Sequence, residues 1–374
     1  MYPYRCWVEI SRCQILENFR NVRAVVGPSV QVIPVVKAEA YGHGLLEVAR
    51  LLERDGAGWL AVSNVNEGIS LRDAGINCRI LVMGGLLTEE RQSLFDYGLT
   101  PVIHSLEDLT ETNEAARKRA QVLRYHLKVD TGMGRLGALE SAEEICRAIS
   151  QARHIQLEGL MTHFASSADY TSDQTEHQLR AFNKILNVIR QRGIEPKLIH
   201  LSSTNAVAYG RSSAWGNLVR VGHALYGYVS AAQGPAPTPI LRVRPALSWK
   251  ARILTVKDVP EGTCIGYNAM YRTPRRTRIA VVAAGYADGY PHQLSNRGKI
   301  IAAGALTPIL GAISMDVMTI DISQAPNLKA GDAVTLLGSE GDLSVDAQHI
   351  AQLAGTISYS VLCGIHPRVK RIYI

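Results

Sequence analysis

From residue 30 to about residue 228 the chain alternates short apolar runs with longer amphipathic stretches, and this restricts its possible folds more than any other feature. Eight runs can be counted: Val30 to Val36, Trp59 to Ser63, Ile80 to Met83, Thr100 to Ile103, Tyr125 to Val129, Leu157 to His163, Leu198 to Ser202, and Leu218 to Tyr226 with a glycine interrupting it. The first is β-branched and too short for an ordinary helix, so it reads as a strand. Between the runs, Gly44 to Arg54, Leu106 to Arg119, Ala142 to Ala152 and Thr175 to Arg192 repeat apolar residues at three- and four-residue spacing, as helices with one buried face do. Alternating strand and helix predicts an α/β fold with a parallel sheet, and eight repeats fit a (β/α)8 TIM barrel over residues 11–232. A doubly wound open sheet is the structural rival, but no G-x-G-x-x-G follows the first strand.

The pattern changes after Gly227. Gln233-Gly234-Pro235-Ala236-Pro237-Thr238-Pro239 cannot continue a helix and suits a linker. Beyond it lie short β-type runs: Leu247 to Val256, Arg278 to Ala284, Lys299 to Ala302, Val317 to Ile322 and Ala333 to Leu337. A helix is expected over Val345 to Leu353 with Ser344 as its N-cap, and a terminal strand over Arg368 to Ile374. These predict a mostly β C-terminal domain over residues 240–374, joined by an N-terminal strand within residues 1–10. Two domains are also what a chain of 374 residues leads one to expect.

Composition narrows the function classes. With 47% hydrophobic and 20% charged residues the chain is globular rather than disordered, and no segment approaches the apolar length of a membrane span. The start, Met1-Tyr2-Pro3-Tyr4-Arg5, lacks the basic and apolar regions of a signal peptide, so a cytoplasmic location is expected. The six cysteines are scattered, with no C-x-x-C pair and no metal-ligand spacing, so no metal is expected. The net charge of +7 is spread along the chain without a nucleic-acid motif, and it suits attraction of anionic small molecules.

In a TIM barrel the chemistry collects where strands end, and the polar residues fall there. The first strand runs into Lys37 within Val35-Val36-Lys37-Ala38-Glu39-Ala40-Tyr41-Gly42-His43-Gly44. A partly desolvated lysine loses proton affinity and becomes a nucleophile able to form a Schiff base with an aldehyde such as pyridoxal phosphate. A strand-terminal lysine can equally extend its stem to solvent. Strand five ends in Lys128-Val129-Asp130-Thr131-Gly132-Met133-Gly134-Arg135, strand six in His163, strand seven in His200-Leu201-Ser202-Ser203-Thr204, and strand eight carries Arg220. Ser203, Thr204 and the amides of Gly222 and His223 are suitable phosphate donors, although Ser-Ser-Thr is also a common helix cap. A buried Arg220 needs a partner, and the ring nitrogen of a pyridine cofactor is one it can donate to.

The ten-residue string around Lys37 resembles the cofactor-lysine motif of alanine racemases, and the likeness continues motif by motif over essentially the whole chain. It implies a homodimer with shared active sites, each barrel carrying pyridoxal phosphate and each β-rich domain completing the site of the other subunit. On that resemblance Lys37 holds the cofactor, and Tyr41 and Tyr359 bind its phosphate, joined by Ser203 or Thr204. Arg135 and the main chain of Met315, in Ile313-Ser314-Met315-Asp316, would bind the substrate carboxylate. Lys128 matches a position carbamylated in some members, Tyr286 and Asp169 resemble entry residues, and Tyr267 matches a second catalytic base. The implied activity is interconversion of L- and D-alanine by two bases, Lys37 and the Tyr267 of another subunit, supplying D-alanine for peptidoglycan. His163, linked to Arg220 and His200, would lower the tyrosine's pKa. Val221, His223 and Ser203-Thr204 depart from the usual family residues, and His223 would keep its side chain available to alter the cofactor's electrostatics. A broader-specificity or serine racemase, a pyridoxal-phosphate homeostasis protein and a related decarboxylase are the other readings. The second domain and Tyr267 speak against the last two.

Overall fold

Strands in the N-terminal half are mostly apolar because most of their residues are buried, as in parallel strands under helices. The computed structural model describes residues 3–374, so the first two residues of the segment 1–10 lie outside the described residues. Strand β1 (Cys6–Ile10) is followed by β2 (Gln31–Pro34), β3 (Trp59–Val62), β4 (Arg79–Val82), β5 (Thr100–Ile103), β6 (Leu123–Lys128), β7 (Ile155–Met161), β8 (Leu198–His200) and β9 (Leu218–Val221). Every residue of β3, β5 and β9 is buried. Strands β3 to β8 form one sheet, parallel at each step, and β2 pairs in parallel with β9. The bridge Val35 to Ala61 joins β2 to β3, and Arg220 N donates to Ser202 O at 3.0 Å beyond the end of β8, closing the ring.

Helices alternate with these strands. Leu106–Arg119 and Ala142–Gln151 begin at Ser105 and Ser141, whose hydroxyls accept from Asp108 N and Glu144 N. Several expected elements shift by a few residues at their ends, and two differ more. The last barrel strand stops at Val221 rather than Tyr226, because Gly222 breaks it and His223–Tyr226 winds into a short 3-10 turn. The C-terminal helix is Ala347–Ala354, and its cap is Asp346, which accepts from His349 N at 2.7 Å; Ser344 lies in the strand Leu343–Val345.

The chain divides into two compact units. One holds residues Ile15–Ala40 and Leu45–Arg244, which include the barrel. The other is formed by the segment ending at Gln14, Tyr41–Gly44 and Pro245–Ile374. Its main sheet is organised about the long strand β10 (Leu247–Val259), which pairs antiparallel with β1, with Thr277–Val282 and with Ala333–Glu340. Strand β1 also pairs in parallel with Lys370–Tyr373. Trp249 and Tyr290, both fully buried, meet edge to face there with ring centroids 5.7 Å apart.

Candidate active site

Lys37 stands just past the end of β2, where Val36 N donates to Ala61 O at 2.8 Å. The backbone then turns left-handed for four residues without glycine, with φ of 52° at Ala38, 55° at Glu39, 52° at Ala40 and 55° at Tyr41. Each such L-residue costs roughly 1–2 kcal/mol, so the turn persists only because its surroundings impose it. Glu67 supplies one constraint: its carboxylate accepts from Ala38 N and from Ser63 N, both at 2.7 Å. Glu39 accepts from Leu45 N at 3.2 Å and closes the next step. Ala, Glu and Lys are helix formers, so the sequence carries no local sign of a left-handed turn, and Glu67 escapes a search confined to strand ends.

The barrel end gathers Arg220, His163 and His200 into one hydrogen-bonded group. The Arg220 side chain is buried, and its Nη1 donates to His200 Nδ1 and His200 O, each at 2.9 Å. Its Nη2 donates to Thr162 O at 2.9 Å, Leu201 O at 3.0 Å and His163 Nδ1 at 3.1 Å. These bonds use only the terminal nitrogens; the Nε–H takes no part in them. Burial lowers the guanidinium to about 9, and burial again, followed by the charges of Arg220, Lys128, Arg135 and Lys37, lowers His163 to about 3. His163 is therefore neutral, and since its Nδ1 accepts from Arg220 its Nε2 carries the proton.

Lys128 is buried at the end of β6, where burial, then Arg135 and Arg220, lower its amine to about 8. The loop after it is built on Asp130, a residue to which no role is assigned from its place in the sequence. Its carboxylate accepts from the amides of Gly132 (2.9 Å), Met133 (2.8 Å), Gly134 (2.8 Å) and Arg135 (3.2 Å), which fixes the backbone that carries Arg135. Ser203 precedes the short helix Thr204–Ala208, and Gly222 precedes the turn at His223. Thr204 Oγ1 accepts from Ala224 N at 3.3 Å, which sets the two turns side by side. The His223 ring is buried and stacked on Tyr228, with centroids 5.2 Å apart. Asp169 accepts from the amide and hydroxyl of Thr171.

The other predicted residues belong to the second unit. Tyr41 and Tyr359 bring their rings to 5.9 Å, and burial, with Tyr359 beside it, raises the Tyr41 hydroxyl above its ordinary value. Tyr267 is 71% exposed on a loop that packs so closely that a Cβ at Gly266 would lie 2.8 Å from Ala312 N. Tyr286 N donates to Ser314 O at 3.1 Å and Ala287 N to Met315 O at 3.0 Å, so the loops of Tyr286 and Met315 are neighbours. Asp316 and Asp288 are both held by Arg368.

A model of the alanine racemase N-terminal domain matches residues 10–230, and one of the C-terminal domain matches residues 246–373. The chain belongs to the alanine racemase family. Among related proteins of that family, the alanine racemase of Halothermothrix orenii is 38% identical over 98% of this chain and 96% of its own length. That of Carboxydothermus hydrogenoformans is 36% identical over 98% and 99%. The structure of the Clostridium difficile 630 alanine racemase superposes with a TM-score of 0.93 at 33% identity, covering 100% of this chain and 97% of that one. The alanine racemase from Bartonella henselae, described with covalently bound pyridoxal phosphate, superposes with a TM-score of 0.87 at 26% identity and covers 100% of both chains. Among the described residues of this family member, no helix is long and apolar enough to cross a membrane.

Proposed function

We propose that this protein is an alanine racemase that interconverts L- and D-alanine with pyridoxal phosphate held on Lys37. The observation that carries the reading is Arg220, a buried guanidinium whose terminal nitrogens are bound to His200, His163 and three carbonyls in bonds that do not use its Nε–H. A pyridine nitrogen is an acceptor suited to that donor, and arginine, which keeps its proton, would leave the ring nitrogen unprotonated. Lys37 fits a Schiff-base lysine, and Ser203, Thr204, the amides of Gly222 and His223, and the hydroxyls of Tyr41 and Tyr359 fit a phosphate. When bound, pyridoxal phosphate supplies a conjugated electron sink that acidifies the α-proton of an attached amino acid.

The chain's own groups then have separable tasks. Arg135, with the main chain at Met315, holds the substrate carboxylate, and Asp130 keeps the Arg135 loop in place. Lys37 handles the α-proton of the D-enantiomer on one face, and Tyr267, donated by the other subunit of a homodimer, handles that of the L-enantiomer on the opposite face. His163, neutral and protonated on Nε2, lowers the cost of a tyrosinate by donating to it. Arg220, donating to the ring nitrogen rather than accepting from it, would keep the sink weak and so favour proton return over transamination. Tyr286 and Asp169 border the entry, and D-alanine serves peptidoglycan synthesis in the cytoplasm.

The test is spectroscopic and chiral. Purified protein should absorb as a lysine-bound pyridoxal compound and racemise alanine faster than serine or larger amino acids in a panel of L-substrates. Racemisation confined to larger residues would overturn the alanine assignment, and absence of the cofactor band would overturn the whole reading. Tyr267→Phe should keep the band and lose at least about a thousandfold in turnover, as removal of a catalytic base does.

A further inference from the structure

The hydrogen bonds of Arg220 do not stop at His200. His200 Nε2 lies 2.8 Å from Nδ1 of His126 on β6, and the two buried rings meet edge to face with centroids 4.8 Å apart. His126 Nε2 in turn faces Glu158 Oε2 on β7 at 3.6 Å and has no hydrogen-bond partner among the described residues. The Glu158 carboxylate is gripped by Arg79, with bonds of 2.7 Å and 2.5 Å, and Arg79 lies over the Trp59 ring at 3.8 Å. Arg79 and Trp59 open β4 and β3, so this chain of groups runs from the ends of the strands, where Lys37 stands, toward their beginnings. Space for it is reserved: a Cβ at Gly159 would lie 2.7 Å from the His126 ring.

Donor chemistry gives the chain one direction. Arginine only donates, so His200 Nδ1 accepts, and a neutral ring then carries its proton on Nε2. That proton goes to His126 Nδ1, which places the proton of His126 on Nε2, aimed at a carboxylate that only accepts. Burial holds both rings neutral, while Glu158, though raised by burial, is brought down to about 2 by His126 and Arg79. The reverse arrangement is also conceivable for two imidazoles. In it His126 carries the proton on Nδ1, gives it to His200 Nε2, and leaves a His200 Nδ1–H pointing at an Arg220 N–H. Two donors would then face each other.

We propose that Glu158 is a positioning residue for Arg220: as a carboxylate at the far end of a two-imidazole relay, it selects the tautomers of His126 and His200 that let the guanidinium keep its bonds and its orientation. The tautomers stand on the geometry alone, whereas their effect on turnover rests on Arg220 serving the cofactor ring as proposed above.

The test is nitrogen-15 NMR of the purified enzyme carrying labelled histidine, with single-site variants assigning His126 and His200. In the wild type both Nδ1 atoms should be bare and both Nε2 atoms protonated. Glu158→Met should protonate Nδ1 of His126 and lower kcat about tenfold with KM unchanged, the size of effect seen when the partner behind a functional histidine is removed. Arg79→Lys, which weakens the ion pair but leaves the carboxylate, should change neither tautomer nor kcat. If Glu158→Met does not fold, Gly159→Ala, which pushes the His126 ring aside with Glu158 and Arg79 still paired, should give the same loss of kcat. A wild-type His126 protonated on Nδ1 overturns the proposal, as do unaltered tautomers in Glu158→Met or altered tautomers with an unchanged kcat. A wild type without the cofactor band would count against the proposed function and leave the tautomer result to be judged by itself.

Discussion

Lys128 owes its low affinity for protons to burial first and then to Arg135 and Arg220, which bring the amine to about 8. An unprotonated amine is the form that captures carbon dioxide, and the carbamate so formed would carry a negative charge toward the same two arginines. Labelled bicarbonate should therefore mark Lys128 increasingly as pH rises toward 8, read by carbon-13 NMR, and an unlabelled Lys128 at that pH would exclude the modification. His163 has the opposite consequence for acid stability. Its folded value is about 3 against an ordinary 6.5, so between these the unfolded chain binds a proton that the folded chain refuses. Stability must then fall as pH drops from 6.5 toward 3, and His200, buried and also lowered, adds to the slope. Calorimetric melting temperatures that stay level across this interval would contradict the burial of both rings as neutral species.

Elements were legible where the chain states both their pattern and their ends. Thr100–Ile103, Leu106–Arg119 and Lys299–Ala302 have the same bounds in sequence and structure, because apolar runs there stop at polar caps and turns. The helix Val65–Asp73 is hidden, since its buried face is Val65, Gly68 and Leu71 and the glycine interrupts the apolar period. The helix Arg12–Val26 is obscured by Asn18, a polar residue buried on its inner face to bind Leu225 O and Arg244 O. In the site, Lys37, Arg220 and His200 were readable as polar residues at strand ends, whereas Glu67, Asp130, His126 and Glu158 act through partners that no sequence spacing reveals. The left-handed turn after Lys37 gives the sharpest element-scale prediction. Ala38→Gly, ordinarily a loss within a helical segment, should here raise stability by roughly 0.5–1 kcal/mol, the steric relief less the added freedom of the unfolded chain. Glu67→Ala should cost about 3 kcal/mol by freeing two amides from a carboxylate. Urea unfolding measures both, and a destabilised Ala38→Gly would show that the turn is not strained.

At the scale of the whole molecule, Tyr267, Met315 and Tyr286 are 71%, 54% and 44% exposed in the single chain, which is unusual for residues to which the proposed function gives a catalytic or gating task. The homodimer proposed above, in which Tyr267 serves the neighbouring site, would account for the exposure of that residue. Coexpressing Lys37→Ala with Tyr267→Phe should restore about a quarter of wild-type activity, because half the dimers are mixed and one of their two sites is complete. No recovery would place both bases in one subunit.

Strand β1 lies between β10 and Lys370–Tyr373, while the barrel strands are threaded into the chain between β1 and β10. Ile374 N still donates to Ile10 O at 2.9 Å, so a strand made early waits for residues translated much later. The barrel's own partners have all left the ribosome long before. Synthesis therefore imposes an order: the barrel half can mature early, while one edge of β1 stays unpaired until Lys370–Tyr373 is made, the interval in which a nascent strand is most exposed to aggregation or chaperone capture.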